Sequence, residues 1–370
     1  MTQAYAWLRT LLSEEASLSS LVTLAKDLEL QGDLESAATA YDRAYGSDPD
    51  DGDIATLRAG LLDRLARTER GLRLRYIPAG SFTMGSDTGD ADEQPVHPVE
   101  VDAFWIMETP LSWAAFADLM GWTPPSDSLP VGEVELEAEE GPGGVAFYLR
   151  EANKIRLQYC EDATTGAGDW HAHVEGGTLR EVFGTSPRSD PRRPWQYERK
   201  PMVAIGWQDA EELGARLSTA ELVWRLPTEA EWELAARGGL VGCQYPWGNE
   251  PPAHDRCDFD RFHEFSILPM RRFAPNGYGL YAMSGGVWEW TRDWYDAEFY
   301  RSSPARNPTG PPAGREKVLR GGSWSDCAEV ATVSFRNSRA SESWRQPGWG
   351  PHYTPNIGLR LCCVRREPPT

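Results

Sequence analysis

Short blocks of glycine, tryptophan and charged residues, which follow one another along the chain, constrain its fold more than any other feature. Two of these blocks lie near the C-terminus, Arg320-Gly-Gly-Ser-Trp324 and Asn356-Ile-Gly-Leu-Arg360. Three others precede them, at 225–237, 245–249 and 277–294. With 35 glycines and 28 prolines in 370 residues, the chain is predicted to form many turns and few long regular elements.

In their order and spacing, these blocks resemble the formylglycine-generating-enzyme (sulfatase-modifying factor) family. The start of such a module also fits, at 76–85 and 95–100, so the resemblance covers 72–365. It implies an α+β fold, a C-type-lectin-like scaffold that is low in regular structure. Within this scaffold, Thr228-Glu-Ala-Glu231 is predicted to be the capping box of a helix, which ends at Gly238-Gly239.

The first part of the chain predicts helices. Residues 21–28 have apolar side chains at helical spacing, and 32–49 resemble the second half of a tetratricopeptide repeat. A third helix is expected at 54–65. One convincing repeat is too little for a free-standing array, so we expect these helices to pack on the main domain or on another protein.

Two domains are therefore predicted, a small tetratricopeptide-like helical segment at 1–70 and a formylglycine-generating-enzyme-like domain at 71–366. Inside the second, 124–198 corresponds to the variable loop region of the family and begins with an acidic run at 133–140. The same region contains His171-Ala-His173, whose alternate spacing would place both imidazoles on one face of a strand. No third ligand lies nearby in the sequence, so we interpret them as two solvent-exposed histidines.

The resemblance also implies what a catalytic site needs. Enzymes of this family oxidise a cysteine of a sulfatase-type substrate to formylglycine, using molecular oxygen and a copper(I) ion held by two cysteines. Copper(I) prefers soft thiolate ligands, and the family pattern is Gly-Gly-Ser-Trp/Tyr-x-Cys-x4-Cys. In this chain Cys327 lies one position late, and five residues beyond it stands Thr332. Ser323 matches the active-site serine of the family and Arg336 its last arginine, so we predict a vestigial set (Ser323, Cys327 and Arg336) without catalysis.

Other metal centres of the family are also altered. No histidine precedes His97, so the histidine-containing iron centre of the related sulfoxide synthases cannot form. Ala282 and Gly286 replace two polar residues of the family's calcium loop, which leaves fewer of the six to eight oxygens that calcium prefers. A weaker calcium site is predicted at Met283, Gly285, Val287, Glu289 and Asp258. The alternative is that Glu289 is a buried carboxylate that accepts backbone amides.

A binding surface is predicted where the family's active groove lies, at 325–356. Aromatic side chains and arginines dominate binding hot spots, because they bury a large area and keep a directional polar group. The candidates are Trp324, Arg336, Arg339, Trp344, Arg345, Trp349, His352 and Tyr353. Alternatively, the tryptophans pack the loops of a domain that is poor in regular structure.

The overall charge limits the classes of partner. A formal net charge of −19 disfavours nucleic acid and anionic membranes, because phosphates would be repelled. No stretch is apolar enough to span a bilayer and no signal peptide is recognised. Six cysteines without metal-knuckle spacing indicate reduced thiols and a cytoplasmic location.

We therefore predict a non-catalytic module that binds a protein partner, of a kind found in bacterial regulatory and defence operons, and that requires no cofactor. One alternative is a copper-dependent oxidase whose second thiol comes from Cys362 or Cys363. Another is a variable ligand-display protein of a diversity-generating retroelement, since those proteins diversify the segment between Arg-Gly-Gly-Ser-Trp and Asn-x-Gly-Phe-Arg.

Overall fold

The computed structural model describes residues 16–112, 115–116, 119, 201–203, 205–261, 267–341 and 356–366. Its α-helices are α1 Leu18–Leu30, α2 Leu34–Ser47, α3 Gly52–Leu65, α4 Trp207–Leu217 and α5 Glu229–Arg237. Its strands are β1 Arg67–Glu69, β2 Leu72–Ile77, β3 Gly80–Met84, β4 His97–Val101, β5 Phe104–Met107, β6 Leu222–Arg225, β7 Trp288–Trp294, β8 Lys317–Arg320, β9 Asn337–Arg339, β10 Ile357–Gly358 and β11 Cys362–Arg365.

The strands form three small sheets. The largest has the order β1-β2-β5-β11-β6, with antiparallel neighbours throughout. A second sheet has the order β10-β7-β8-β9, in which only the β10–β7 pair is parallel. Strands β3 and β4 form a separate antiparallel pair. The α+β fold with short elements is the one expected from the sequence.

The three N-terminal helices form at the predicted places. Each begins with an aspartate or serine whose side chain accepts a backbone N–H: Ser17 for α1, Asp33 for α2 and Asp51 for α3. Their apolar sides join the main core, so that Leu28 and Tyr41 belong to the same buried cluster as the side chains of the five-stranded sheet. The helices are thus confirmed, whereas their identity as a tetratricopeptide repeat stays a prediction.

Helix α5 begins and ends as the sequence predicts. Thr228 accepts the backbone N–H of Glu231, and the Glu231 carboxylate accepts the backbone N–H of Thr228. The helix ends at Gly238, which has a left-handed φ of 64°, a conformation that costs glycine little. Every residue of α5 is buried, so its charged side chains need partners inside the protein.

Several predictions fall outside the described residues. They are the variable region 124–198 with its acidic run at 133–140, His171 and His173. Among the residues that are described, no helix is long and apolar enough to cross a bilayer.

Candidate functional site

The loop that follows β8 forms a polar cluster around Ser323 and Asp326. Two glycines with left-handed φ values, 98° at Gly321 and 71° at Gly322, turn the chain sharply out of the strand. The Ser323 hydroxyl donates a hydrogen bond to Asp326 Oδ2. The Asn356 amide donates to the hydroxyls of Ser323 and Ser325, at 3.3 and 3.2 Å.

The carboxylate of Asp326 is held inside this cluster. Burial raises its pKa, and hydrogen bonds from the Ser323 hydroxyl and the Trp288 side chain oppose that shift. Ser323 itself is 1% exposed, so its hydroxyl is occupied by Asp326 and does not face solvent as a nucleophile. The cluster is therefore closed on itself and stabilises the loop.

Behind this loop, the three glutamates of α5 each bind arginine. Glu229 accepts hydrogen bonds from Arg320 at 2.8 Å and from Arg336 at 2.7 Å. Glu233 accepts from Arg320 at 2.6 Å and from Arg237 at 2.6 Å. All of these groups are at most 7% exposed, and the guanidinium groups satisfy the carboxylates that burial would otherwise destabilise.

The remaining motif charges are paired in the same way. Glu231 binds Arg225 through both carboxylate oxygens, at 2.6 and 2.7 Å. Glu289 on β7 accepts from the Arg360 guanidinium at 3.1 Å and from the Trp232 indole at 2.8 Å. The sequence blocks around 225–237, 289, 320 and 360 thus supply both sides of a set of ion pairs, called the ion-pair network below, which falls into three groups around Glu229 and Glu233, around Glu231 and around Glu289.

The family description "Sulfatase-modifying factor enzyme 1-like domain" matches residues 62–363, the same part of the chain that holds this network. The chain belongs to the formylglycine-generating-enzyme family. It is 37% identical over 269 residues to a formylglycine-generating enzyme of Streptomyces coelicolor, a match that covers 67% of this chain and 77% of that protein.

Other relatives of this family agree with the fold. The chain is 31% identical over 311 residues to the inactive C-alpha-formylglycine-generating enzyme 2 of Bos taurus, over 79% of this chain and 88% of that one. The solved structure of PvdO from Pseudomonas aeruginosa superposes with a TM-score of 0.51 at 21% identity, over 82% of this chain and 98% of PvdO. At that identity the last comparison shows the fold alone.

The family pattern can now be placed on the structure. It puts the two copper-binding thiols at the third and eighth residues after Ser323, where this chain has Asp326 and Ala331. Asp326 belongs to the closed polar cluster, and Ala331 is 1% exposed with its carbonyl accepting the Ser284 hydroxyl at 2.7 Å. A hard carboxylate and a methyl group do not fit a copper(I) ion.

The cysteines of the described residues lie elsewhere. Cys327 is exposed, and a hydrogen bond to Glu329 raises the pKa of its thiol. Cys362 and Cys363 are buried on β11, paired with β5 and β6 in the five-stranded sheet, where burial raises the pKa of both thiols. Copper(I) binds the thiolate form, which the raised pKa values disfavour.

The calcium loop has a different arrangement from the one predicted. The Glu289 carboxylate on β7, predicted as a calcium ligand, accepts hydrogen bonds from the Arg360 guanidinium and the Trp232 indole. It is therefore buried, as in the alternative prediction, but its donors are side chains and not backbone amides. Asp258 accepts the backbone N–H of Leu268 at 2.9 Å and lies 3.3 Å from Arg261 Nε. The carbonyls of Met283, Gly285 and Val287 remain the predicted oxygen ligands, and calcium binding stays a prediction.

The predicted binding surface divides into three groups. Trp324 is fully buried and Arg336 is 5% exposed. Both side chains lie in the interior, where the indole packs in the core and the guanidinium pairs with Glu229. Arg339 on β9 is exposed and is the one described candidate at the surface. The others, Trp344, Arg345, Trp349, His352 and Tyr353, lie outside the described residues.

Asp326 is the site residue that the sequence interpretation missed. The pattern itself contained the signal, since Asp326 stands where the first thiol belongs and carries a side chain that Ser323, Trp288 and Asn356 can surround.

Proposed function

We propose that this protein is a non-catalytic member of the formylglycine-generating-enzyme family, which uses the surface around the former active groove to bind a protein partner. One observation carries the proposal: Asp326 and Ala331 occupy the two thiol positions, and Asp326 is already bound by Ser323 and Trp288. A regulatory role, of the kind such modules have in bacterial regulatory or defence operons, is the function that we assign to it. Its cytoplasmic location is part of the same proposal.

The 37% identity to the Streptomyces coelicolor enzyme favours a second candidate, a copper-dependent oxidase. Copper(I) titration under anaerobic conditions separates the two. We expect no tight stoichiometric binding by this protein, whereas the Streptomyces coelicolor relative, as the positive control, should bind one ion. Tight binding that is lost in Cys327→Ser but kept in Cys243→Ser would overturn the non-catalytic proposal.

Partner binding is tested at Arg339. This exposed arginine lies on the edge strand β9, whose partner strand β8 leads into the Ser323 loop. We expect the charge reversal Arg339→Glu to reduce capture of the native partner at least tenfold, because aromatic- and arginine-containing surfaces concentrate binding energy. The matched control is Arg301→Glu, another exposed arginine, on the segment after β7.

The outcome that contradicts the surface assignment is equal capture by wild type and Arg339→Glu, measured by quantitative mass spectrometry against the Arg301→Glu control.

The alternative of a variable display protein makes a different prediction. Sister copies of this sequence should then differ mainly at 325–355, which sequencing of the same locus in several isolates would reveal.

A further inference from the structure

The N-terminal helices are joined to the main domain without a linker. Helix α3 ends at Leu65 and strand β1 begins at Arg67, so one residue separates them. The Trp105 indole on β5 donates a hydrogen bond to the Leu65 carbonyl at 3.0 Å. Strand β1 then pairs with β2 in the five-stranded sheet, which fixes the end of α3 to that sheet.

The contact between helices and domain centres on Arg58. Its side chain is 2% exposed, and two of its nitrogens donate to Asp42 Oδ1 on α2, at 2.8 and 2.6 Å. The same guanidinium donates to the carbonyls of Gly277 at 2.7 Å and Gly238 at 3.1 Å, more than 170 residues away in the chain. One arginine therefore joins α2, α3 and two loops of the main domain.

Aromatic rings and glycines complete the site around Arg58. The guanidinium lies 4.4 Å from the ring centre of Tyr45 and 4.5 Å from that of Tyr278, distances at which cation–π attraction is effective. The Tyr278 hydroxyl donates to Asp42 Oδ2 at 2.8 Å. A Cβ atom at Gly239 would lie 2.5 Å from Arg58 Nη2, so the glycines after α5 leave the room that the guanidinium occupies.

We propose that the inner surface of the three helices is permanently occupied by the chain's own loops at 238–239 and 276–281, with Arg58 as the residue that holds the two together. The helical segment is then an intramolecular clamp on these loops, and not a separate adaptor whose inner surface receives a peptide. An external partner uses the outward sides of the helices or another face of the domain. This inference is independent of whether the domain binds copper.

The clamp reaches the interior of the domain through the loop that it holds. The Asn276 side chain accepts the backbone N–H groups of Tyr278 and Leu280 at 3.0 and 3.1 Å and donates to the Ala235 carbonyl of α5 at 2.8 Å. Further along, the Tyr281 carbonyl accepts from Arg360 at 2.6 Å, which in turn binds Glu289. Helices, loop and ion-pair network are consequently expected to unfold together.

The test is hydrogen exchange of the full-length chain, followed residue by residue by mass spectrometry or NMR, for wild type and Tyr278→Phe. This variant keeps the ring beside Arg58 and removes only the hydrogen bond to Asp42. We expect α2, α3 and β7 to be equally protected from exchange in the wild type, and Tyr278→Phe to lower this protection by a similar factor, about tenfold, in all three.

Thermal unfolding gives a second test. Arg58→Met should lower the unfolding temperature by roughly 10 °C, and the protein should still unfold in one transition.

The control is Arg64→Met. Arg64 also lies on α3, but its side chain is half exposed and its ion pair, with Glu29 of α1, stays within the helices, so its loss should leave protection unchanged. The proposal is overturned if the helices of the wild type exchange in a separate, faster step than β7. It is equally overturned if Tyr278→Phe lowers protection only in the helices.

Discussion

Replacing Arg320 by methionine is expected to lower the free energy of unfolding by about 3–5 kcal/mol, the cost of removing one partner from a buried ion pair. Arg320 is fully buried and binds Glu229 at 2.8 Å and Glu233 at 2.6 Å. Methionine keeps the unbranched apolar part of the side chain but leaves two buried carboxylates with fewer donors. Burial alone would raise the pKa of Glu229, and the guanidinium groups of Arg336 and Arg320 hold it below its usual value.

Chemical denaturation at pH 7 measures this loss, and Arg301→Met is the matched control. Arg301 pairs with Glu298, but both side chains are about two-thirds exposed, at 68% and 70%, and exposed pairs contribute about 0–1 kcal/mol. A loss of less than about 1 kcal/mol for Arg320→Met would show that Arg336 and Arg237 alone satisfy the two glutamates, and that Arg320 is dispensable for the network.

The buried network shows where sequence reasoning succeeds and where it stops. The capping box at Thr228 and Glu231 and the glycine end of α5 were predictable because their partners lie within a few residues. The pairing of Glu229 with Arg320, 91 residues away, was not, because no local pattern specifies which buried charge meets which. The motif blocks predicted the fold without revealing that their charges bind one another.

The binding surface predicted at 325–356 agrees less well with the structure, again because contacts between residues distant in sequence decide the outcome. The sequence predicts Trp324 and Arg336 on a binding surface because such side chains are frequent in hot spots, yet a domain with short strands also uses indoles and ion pairs as its core. Burial depends on contacts distant in sequence, which the residue type alone does not determine. The residues at the two thiol positions, Asp326 and Ala331, follow from the spacing after Ser323 alone, because that comparison needs no contact between distant residues.

Asp293→Asn is the second variant for which we expect a large effect, and this one stabilises the protein in a pH-dependent way. Asp293 on β7 is 2% exposed and accepts the Glu229 backbone N–H at 2.9 Å. Burial, and next the negative charge of Glu229, raise the pKa of its carboxyl to about 8. Asparagine keeps a carbonyl oxygen for the N–H and has no charge to bury.

The direction of the pH dependence follows from proton linkage. Because the folded state holds this proton more tightly than the unfolded state, the wild type is most stable, with respect to this group, below its ordinary pKa of about 3.9. It loses that stability as the pH rises towards about 8, the pKa in the folded protein. Local relaxation reduces the full linkage energy, so we expect Asp293→Asn to be more stable than wild type by about 2 kcal/mol or more at pH 8 and by little at pH 4.

The measurement is the free energy of unfolding of both proteins at pH 5, 6, 7 and 8, where the difference should grow steadily. Asp296→Asn is the control, since Asp296 accepts a backbone N–H at the same kind of distance, 2.8 Å from Glu298 N, but is exposed. Lys317 lies close by, and burial lowers its pKa to about 8, so its own titration stabilises both proteins as the pH rises above that value and does not produce the difference expected between pH 5 and 8. A difference that stays constant from pH 5 to 8 would mean that Asp293 is already ionised in the folded protein, with Lys317 or Arg336 compensating its charge.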